Sequence, residues 1–75
     1  MTLMEVSFRY GLTPGEREMV GINRAREVYG VRAIRFDEGE RIITVEYDAT
    51  RLTEEIVISL LKRAGIDLKT RIAMA

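Results

Sequence analysis

The spacing of the apolar residues changes several times along this chain, and the order of those changes restricts the folds that it can adopt. Apolar residues recur first at every second position, then at helical spacing, then at every second position in two successive segments. Helical spacing and every-second spacing follow once more before the end. A period of two is typical of a half-buried strand, and a period of about 3.6 of an amphipathic helix. The pattern therefore predicts the element order βαββαβ.

Turn residues between the apolar segments set the boundaries of the predicted elements. Gly11 and Leu12 turn the chain after the first strand, while Gly30 and Gly65 end the two helices. The predicted elements are strand one over Leu3–Tyr10, helix one from Pro14, strand two over Val31–Phe36, a tight turn at Asp37–Glu40, strand three over Ile42–Tyr47, a loop at Asp48–Leu52, helix two from Thr53 to Ala64 and strand four over Ile66–Ile72.

Both helices are predicted to begin at a threonine cap. Thr13, Pro14 and Glu16 match a capping box, with proline at the first helical position and glutamate three residues after the cap. Thr53 is predicted to cap helix two, whose acidic first turn suits the positive end of the helix dipole. The apolar faces expected to cover the sheet are Met19, Ile22, Ala25, Val28 and Tyr29 in helix one, and Ile56, Val57, Leu60, Leu61 and Ala64 in helix two.

Two βαβ units with right-handed crossovers combine these elements into an α+β fold of the ferredoxin-like βαββαβ type. We expect a four-stranded antiparallel sheet in the spatial order four, one, three, two, with two helices on one face. Residues 1–75 are expected to form a single domain, because a chain of this length has room for one core. The open face of the sheet is predicted to be polar, with Glu5, Ser7, Arg9, Arg35, Thr44, Glu46, Lys69 and Arg71.

The composition excludes several kinds of chemistry. The chain has no cysteine and no histidine, so it lacks thiolate ligands and the side chain best suited to proton transfer near neutral pH. Twelve basic and twelve acidic residues cancel, so no net charge attracts nucleic acid or an anionic membrane. We find no pattern of a signal segment and no apolar run that could span a bilayer. We therefore expect a cytoplasmic protein that is not an enzyme and binds no cofactor and no membrane.

The segment Gly11–Arg17, GLTPGER, resembles the loop of heavy-metal-associated domains, which reads Gly-Met-Thr-Cys-x-x-Cys. The pair Gly30-Val31 stands where that family has a Gly-Val pair that opens its second strand. Residues 43–48, ITVEYD, and 61–66, LKRAGI, resemble the family's third strand and the end of its second helix. The resemblance covers nearly the whole chain. It implies the ferredoxin-like fold and a relationship to copper chaperones and to the amino-terminal domains of metal-transporting ATPases.

The two cysteine positions of the family's loop fall on Pro14 and Arg17. A soft ion such as Cu(I) prefers sulfur ligands, whereas proline offers no donor and arginine stays protonated and repels a cation. The residues therefore argue against a metal site in this loop. It becomes a candidate surface for a ligand or partner, made of Gly11, Leu12, Thr13, Pro14, Gly15, Glu16 and Arg17.

Three functions stay open at this point. The first is a binding or interaction module that docks to another protein through the Gly11–Arg17 loop, or self-associates through the edge strands two and four. The second is metal ion binding or transport through unconventional ligands, either the acidic turn Asp37–Glu40 or thioethers. The third is an anion-binding sensor or enzyme that uses the free N–H groups at the start of helix one with Arg17. The methionines that could offer thioethers are Met1, Met4, Met19 and Met74, of which Met4 and Met19 are predicted to lie in the core.

The same element order occurs in RNA-recognition modules, which stack bases on aromatic side chains exposed on the sheet. The aromatic residues of the predicted strands all share the side that faces the helices. They are Phe8, Tyr10, Phe36 and Tyr47. We therefore expect no binding of nucleic acid.

Overall fold

A computed structural model of the chain describes residues 1–72 and has the element order βαββαβ. The elements are β1 Leu3–Tyr10, α1 Glu16–Arg26, β2 Val31–Asp37, β3 Ile42–Asp48, α2 Glu54–Arg63 and β4 Leu68–Ile72. The strands form one antiparallel sheet in the order β2-β3-β1-β4, so the predicted ferredoxin-like fold is confirmed. Within residues 1–72, no helix is long and apolar enough to cross a membrane.

The core lies between the two helices and one face of the sheet. Its fully buried centre includes Ile22 of α1, Ile43 of β3 and Leu61 of α2. The predicted placement of the strand aromatics is confirmed: three are buried, and Phe36 packs edge-on against Tyr10 with ring centroids 5.8 Å apart. The residues predicted for the core that are instead exposed are Met4, Tyr29 and Ile56.

The helices α1 and α2 approach each other closely at Gly21. A Cβ atom built on Gly21 would lie 2.7 Å from the Cα of Ala64, too near for any real side chain. Glycine inside a helix costs about 1 kcal/mol relative to alanine, and here the missing side chain lets the two backbones approach. This close approach helps to place both helices over the sheet.

Helix α1 begins later than predicted, at Glu16 and not at Pro14. Gly15 is the N-cap, and its N–H donates a hydrogen bond of 2.8 Å to Oε1 of Glu18. The predicted capping box of Thr13 and Glu16 is therefore wrong, because the glutamate that reaches back is the one three residues after Gly15. Thr13 belongs to the loop that precedes the helix.

Helix α2 begins as predicted. The Thr53 hydroxyl accepts a hydrogen bond of 3.2 Å from the N–H of Ile56, which confirms the cap. After the helix, Gly65 has a φ of 93°, and Gly30 after α1 has a φ of 104°. This left-handed conformation favours glycine, and Gly65 ends α2 directly after its C-cap, Ala64. Helix α1 already ends at Arg26 with Glu27 as its C-cap, so the prediction that Gly30 ends it is wrong.

Strand β4 contains a bulge that sequence reasoning missed. Arg9 is opposite Thr70, whereas the next residue, Tyr10, is opposite Leu68, so Lys69 is an extra residue without a partner in β1. A bulge of this kind reverses the faces of the residues that follow it.

The bulge turns Arg71 toward the helices. Residues directly opposite each other share a face, and Arg71 is opposite Phe8, which lies in the core layer. Its guanidinium donates two hydrogen bonds of 2.8 Å to the carboxylate of Glu54 at the start of α2. The prediction that Arg71 belongs to the open face is wrong, and Ile72, opposite Ser7, lies there instead.

The predicted polar residues that the strand register places on the open face are Glu5, Ser7, Arg9, Arg35, Thr44 and Glu46. Arg35 donates to Glu5 at 2.7 Å, which pairs opposite charges of β2 and β1 across β3. Between them, the hydroxyl oxygens of Ser7 and Thr44 lie 2.8 Å apart. These polar groups satisfy one another across the sheet.

Candidate functional site

The Gly11–Arg17 loop lies at the end of the sheet where β1 ends and α1 begins. Two other connections meet it there. The N–H of Tyr10 donates to the carbonyl of Arg41 in the β2–β3 connection, and the N–H of Gly11 donates to the carbonyl of Asp67 before β4, each at 2.9 Å. The seven predicted site residues therefore form part of a surface that three connections share.

Asp67 and Arg41 hold the backbone of this loop. The N–H of Leu12 donates to Oδ2 of Asp67 at 3.3 Å, and the guanidinium of Arg41 donates to the carbonyl of Gly11. Lys69 lies 3.4 Å from the same carboxylate oxygen. A Cβ atom on Gly11 would lie 2.5 Å from this oxygen, so a larger residue would displace the Asp67–Lys69 pair. Sequence reasoning missed both tethers, because no local pattern links them to the loop.

The loop presents an apolar side chain to solvent. Leu12 is 74% exposed, whereas Pro14 is half-buried. Thr13, Glu16 and Arg17 are exposed around it and carry no hydrogen bond or ion pair from their side chains among residues 1–72. The loop therefore combines a tethered backbone with free side chains.

No ligand set for a metal ion is found in the part of the chain that the structure describes. Residues 1–72 contain no group of three or more acidic, histidine or cysteine residues that could hold one. Met19 packs against the core as predicted, but Met4 is 48% exposed, so its predicted place in the core is wrong. Met1 is exposed as well, and Met74 lies outside the described residues.

The acidic turn uses its groups locally. Oδ1 of Asp37 accepts a hydrogen bond of 3.2 Å from the N–H of Glu40, and Arg9 donates to the carbonyl of Glu40 at 2.8 Å. Burial is the main cause that raises the pKa of the nearby Tyr10, and the negative charge of Glu38 raises it further. The tyrosine therefore stays neutral at physiological pH.

The start of α1 is poorly suited to an anion. The N–H of Gly15 is already bonded to Glu18, and Glu16 and Glu18 place two carboxylates in the first helical turn. These charges oppose the attraction that a helix N-terminus and Arg17 would exert on an anion.

One edge of the sheet is the outer side of β2. The N–H of Asp48 donates to the carbonyl of Gly30 at 2.7 Å, so Asp48 faces β2. The backbone N–H and carbonyl groups of alternate residues in a strand point to the same neighbouring strand, so those of Thr44 also point to β2. The backbone groups of its partner Arg35 therefore point to β3. The backbone groups of Ile34 consequently point away from the sheet, toward the free edge.

Arg26 covers part of this edge. Its guanidinium donates a hydrogen bond of 3.0 Å to the carbonyl of Ile34, which would otherwise be open to another strand. The N–H and carbonyl of Phe36 face the same edge by the same alternation. The protecting side chain of Arg26 comes from α1 and not from the edge strand itself.

No protein-family model matches this sequence, and no curated protein was found to be similar to it. Solved structures do match. Oxidized MerP from Ralstonia metallidurans CH34 superposes with a TM-score of 0.71 and 16% identity, over 92% of this chain and 97% of that one. The N-terminal domain of PacS from Synechocystis PCC6803 superposes with a TM-score of 0.63 and 18% identity, over 89% of this chain and 96% of that domain.

This chain has the fold of a heavy-metal-associated domain. The resemblance predicted from the Gly11–Arg17 loop and from Gly30-Val31 is confirmed at the level of fold. At sequence identities this low, the similarity shows a shared fold and does not indicate a shared function, because one fold supports many functions.

Proposed function

We propose that this chain is a non-catalytic module that binds another protein through the Gly11–Arg17 loop. The observation that carries the proposal is the exposed side chain of Leu12 on a loop whose backbone is tied to Asp67 and Arg41. The sequence has no cysteine and no histidine, and residues 1–72 contain no group of three or more acidic, histidine or cysteine residues that could hold a metal ion.

The tethers favour binding because they lower its entropic cost. A segment that is already held in place loses little conformational freedom when a partner docks, so more of the contact energy appears as affinity. Leu12 supplies an apolar anchor, and the exposed Glu16 and Arg17 supply charges of both signs nearby. The surface suits a partner with an apolar pocket and a polar rim of both charges.

Crosslinking from position 12 tests this proposal. A photo-crosslinking amino acid at position 12 should give one discrete adduct in cells, which mass spectrometry identifies. The same group at the exposed Ser59 of α2 serves as the control and should not give that adduct. The purified partner should then bind Leu12→Asp at least about tenfold more weakly than wild type, as expected for an anchor residue. Ser59→Asp should bind like wild type.

Two results would contradict the proposal. One is the same set of adducts from positions 12 and 59, and the other is unchanged affinity of the folded Leu12→Asp variant. An amide NMR titration of the same protein with Cu(I), Zn(II) and phosphate tests the other two functions. Saturable shifts confined to Gly11–Arg17 on adding a metal would favour metal binding, and the same shifts with phosphate would favour an anion site.

Self-association through the edge of β2 is the second candidate. The outward backbone groups of Phe36 favour it, because an unpaired edge can add another strand. Arg26 opposes it by occupying the carbonyl of Ile34. The self-association of a variant that lacks the Arg26 guanidinium tests which of these two features dominates.

A further inference from the structure

Three arginines line an open groove at the end of the sheet opposite the Gly11–Arg17 loop. The groove lies where α1 ends, β2 starts and the chain leaves β3, and it has a volume of about 420 Å³. We call it the arginine groove and define it by Arg26, Tyr29, Arg32, Thr50 and Arg51, which all line it.

Tyr29 is exposed here because α1 tightens at its end. The N–H groups of Glu27 and Val28 donate to Arg24 and Ala25, three residues back, instead of four. The helical spacing that predicted Tyr29 in the core is thereby broken, and its side chain is 71% exposed.

Arg51 holds the tyrosine ring in place. Its guanidinium lies 4.3 Å from the ring centroid, and its Nε lies 3.7 Å from Oδ2 of Asp48. A cation over an aromatic ring at this distance is attracted to the ring face. The groove therefore has a positioned aromatic wall next to a positive charge.

The groove carries an excess of positive charge. Asp48 and Glu27 are its acidic lining residues, and the carboxylate of Asp48 is buried and accepts bonds from the chain itself. Within residues 1–72, the hydrogen bonds of the Arg26 guanidinium go to neutral oxygens, those of Asn23 and Ile34. Arg32 is exposed, and among residues 1–72 no carboxylate lies within ion-pair distance of it.

The open shape of the groove and its residue types favour one kind of anion. Sites for small molecules enclose most of the ligand surface, whereas this groove is open to solvent. Its three arginines come from α1, from β2 and from the loop after β3. Tyrosine and arginine are the residue types that most often anchor protein partners.

We infer that the arginine groove binds an acidic peptide segment of a partner protein, with carboxylates on its arginines and an apolar contact on Tyr29. This inference is independent of the proposed function, because the Gly11–Arg17 loop lies at the other end of the molecule. A partner could use either surface alone.

Fluorescence anisotropy with a labelled glutamate-rich peptide tests the inference. The peptide should bind saturably, bind more weakly as salt increases, and shift the amide signals of residues 29–32 and 50–51. A matched peptide with glutamine in place of glutamate should not bind. Arg32→Glu should weaken binding by about tenfold or more, because it reverses a charge that no carboxylate of the described residues 1–72 pairs with. Tyr29→Ser is a second variant that should also weaken binding.

Lys62→Glu is the control for the charge change, since Lys62 is exposed on α2 and outside the groove. It should leave peptide affinity within about twofold of wild type, as Leu12→Asp should, because distant sites act independently. Equal weakening by Arg32→Glu and Lys62→Glu would overturn the inference, as would binding of the glutamine peptide. Saturable binding of inorganic phosphate or of anionic lipid vesicles at the groove, without binding of the acidic peptide, would overturn it too.

Discussion

Asp48 secures the chain at the end of β3 through a single carboxylate oxygen. Its Oδ1 accepts hydrogen bonds from the N–H of Thr2 at 3.3 Å, from the N–H of Thr50 at 3.0 Å and from the Thr50 hydroxyl at 2.7 Å. These hydrogen bonds hold the pKa of Asp48 below its ordinary value. The bond from the Thr50 hydroxyl has the largest effect. The carboxylate therefore joins the start of β1 to the loop after β3.

We predict that protonation of Asp48 in acid destabilises the fold. Because its pKa is lower in the folded chain, the unfolded chain takes up the proton first as pH falls. The stabilisation is complete above the unfolded pKa of about 3.9 and is lost as pH falls through the lower folded pKa. NMR titration of the carboxyl carbon should give a midpoint below about 3.9.

Unfolding of Asp48→Asn measured against pH checks the same prediction. The wild-type free energy of unfolding should fall toward that of Asp48→Asn through this pH range, because the difference between them comes from the charged carboxylate. Glu38→Gln, which changes an exposed carboxyl of the β2–β3 turn, should follow the wild-type curve. A constant difference between wild type and Asp48→Asn would contradict the prediction.

The two helices begin at caps of different chemistry. In α2 the cap is a side chain, since the Thr53 hydroxyl accepts the N–H of Ile56. In α1 the cap is Gly15, which has no side chain to offer, and the bond runs the other way, from its backbone N–H to Glu18. Thr13 contributes nothing to the helix start in this arrangement.

The two threonines should therefore respond differently to alanine. Thr53→Ala should lower the free energy of unfolding by about 1 kcal/mol, because it removes the acceptor at the start of α2. Thr13→Ala should change it by less than about 0.5 kcal/mol, as is usual for an exposed loop position. Chemical denaturation of both variants measures these values. Equal losses would mean that Thr13 caps α1 after all.

At the scale of the whole molecule, the βαββαβ fold places two different surfaces at opposite ends of one sheet. One end carries the tethered loop with Leu12, and the other carries the arginine groove. Arg26 links the groove with the edge of β2, since it lines the groove and also bonds the outward carbonyl of Ile34.

We predict that Arg26→Ala increases self-association. Removing the guanidinium exposes the Ile34 carbonyl at the strand edge, where a second copy could pair with it. Sedimentation equilibrium should show an average mass that rises with concentration, with dimerisation about tenfold or more stronger than in wild type, the scale set by one charged hydrogen bond. Arg24→Ala, an exposed arginine on the same helix, should behave like wild type. An unchanged mass for a folded Arg26→Ala would remove the edge of β2 as an association surface.

The order of the elements, the position of most strands and the start of α2 can be predicted from the sequence alone. These follow from contacts between near neighbours, such as the alternation in β1 and the bond from Ile56 to Thr53. The likeness to the fold of heavy-metal-associated domains was also visible in the Gly11–Arg17 loop and in Gly30-Val31. Each of these signals lies within a short stretch of chain.

Features that depend on residues far apart in the sequence become visible in the folded chain. Two pairs of residues have the spacing of a capping box, Thr13 with Glu16 and Gly15 with Glu18. The second pair forms the cap in the folded chain, where Glu18 lies next to Gly65. The bulge in β4 sends Arg71 to Glu54, and Asp67 holds Leu12 from a distant part of the chain. No local repeat of apolar residues indicates these contacts, because they form only when the sheet brings its strands and connections together.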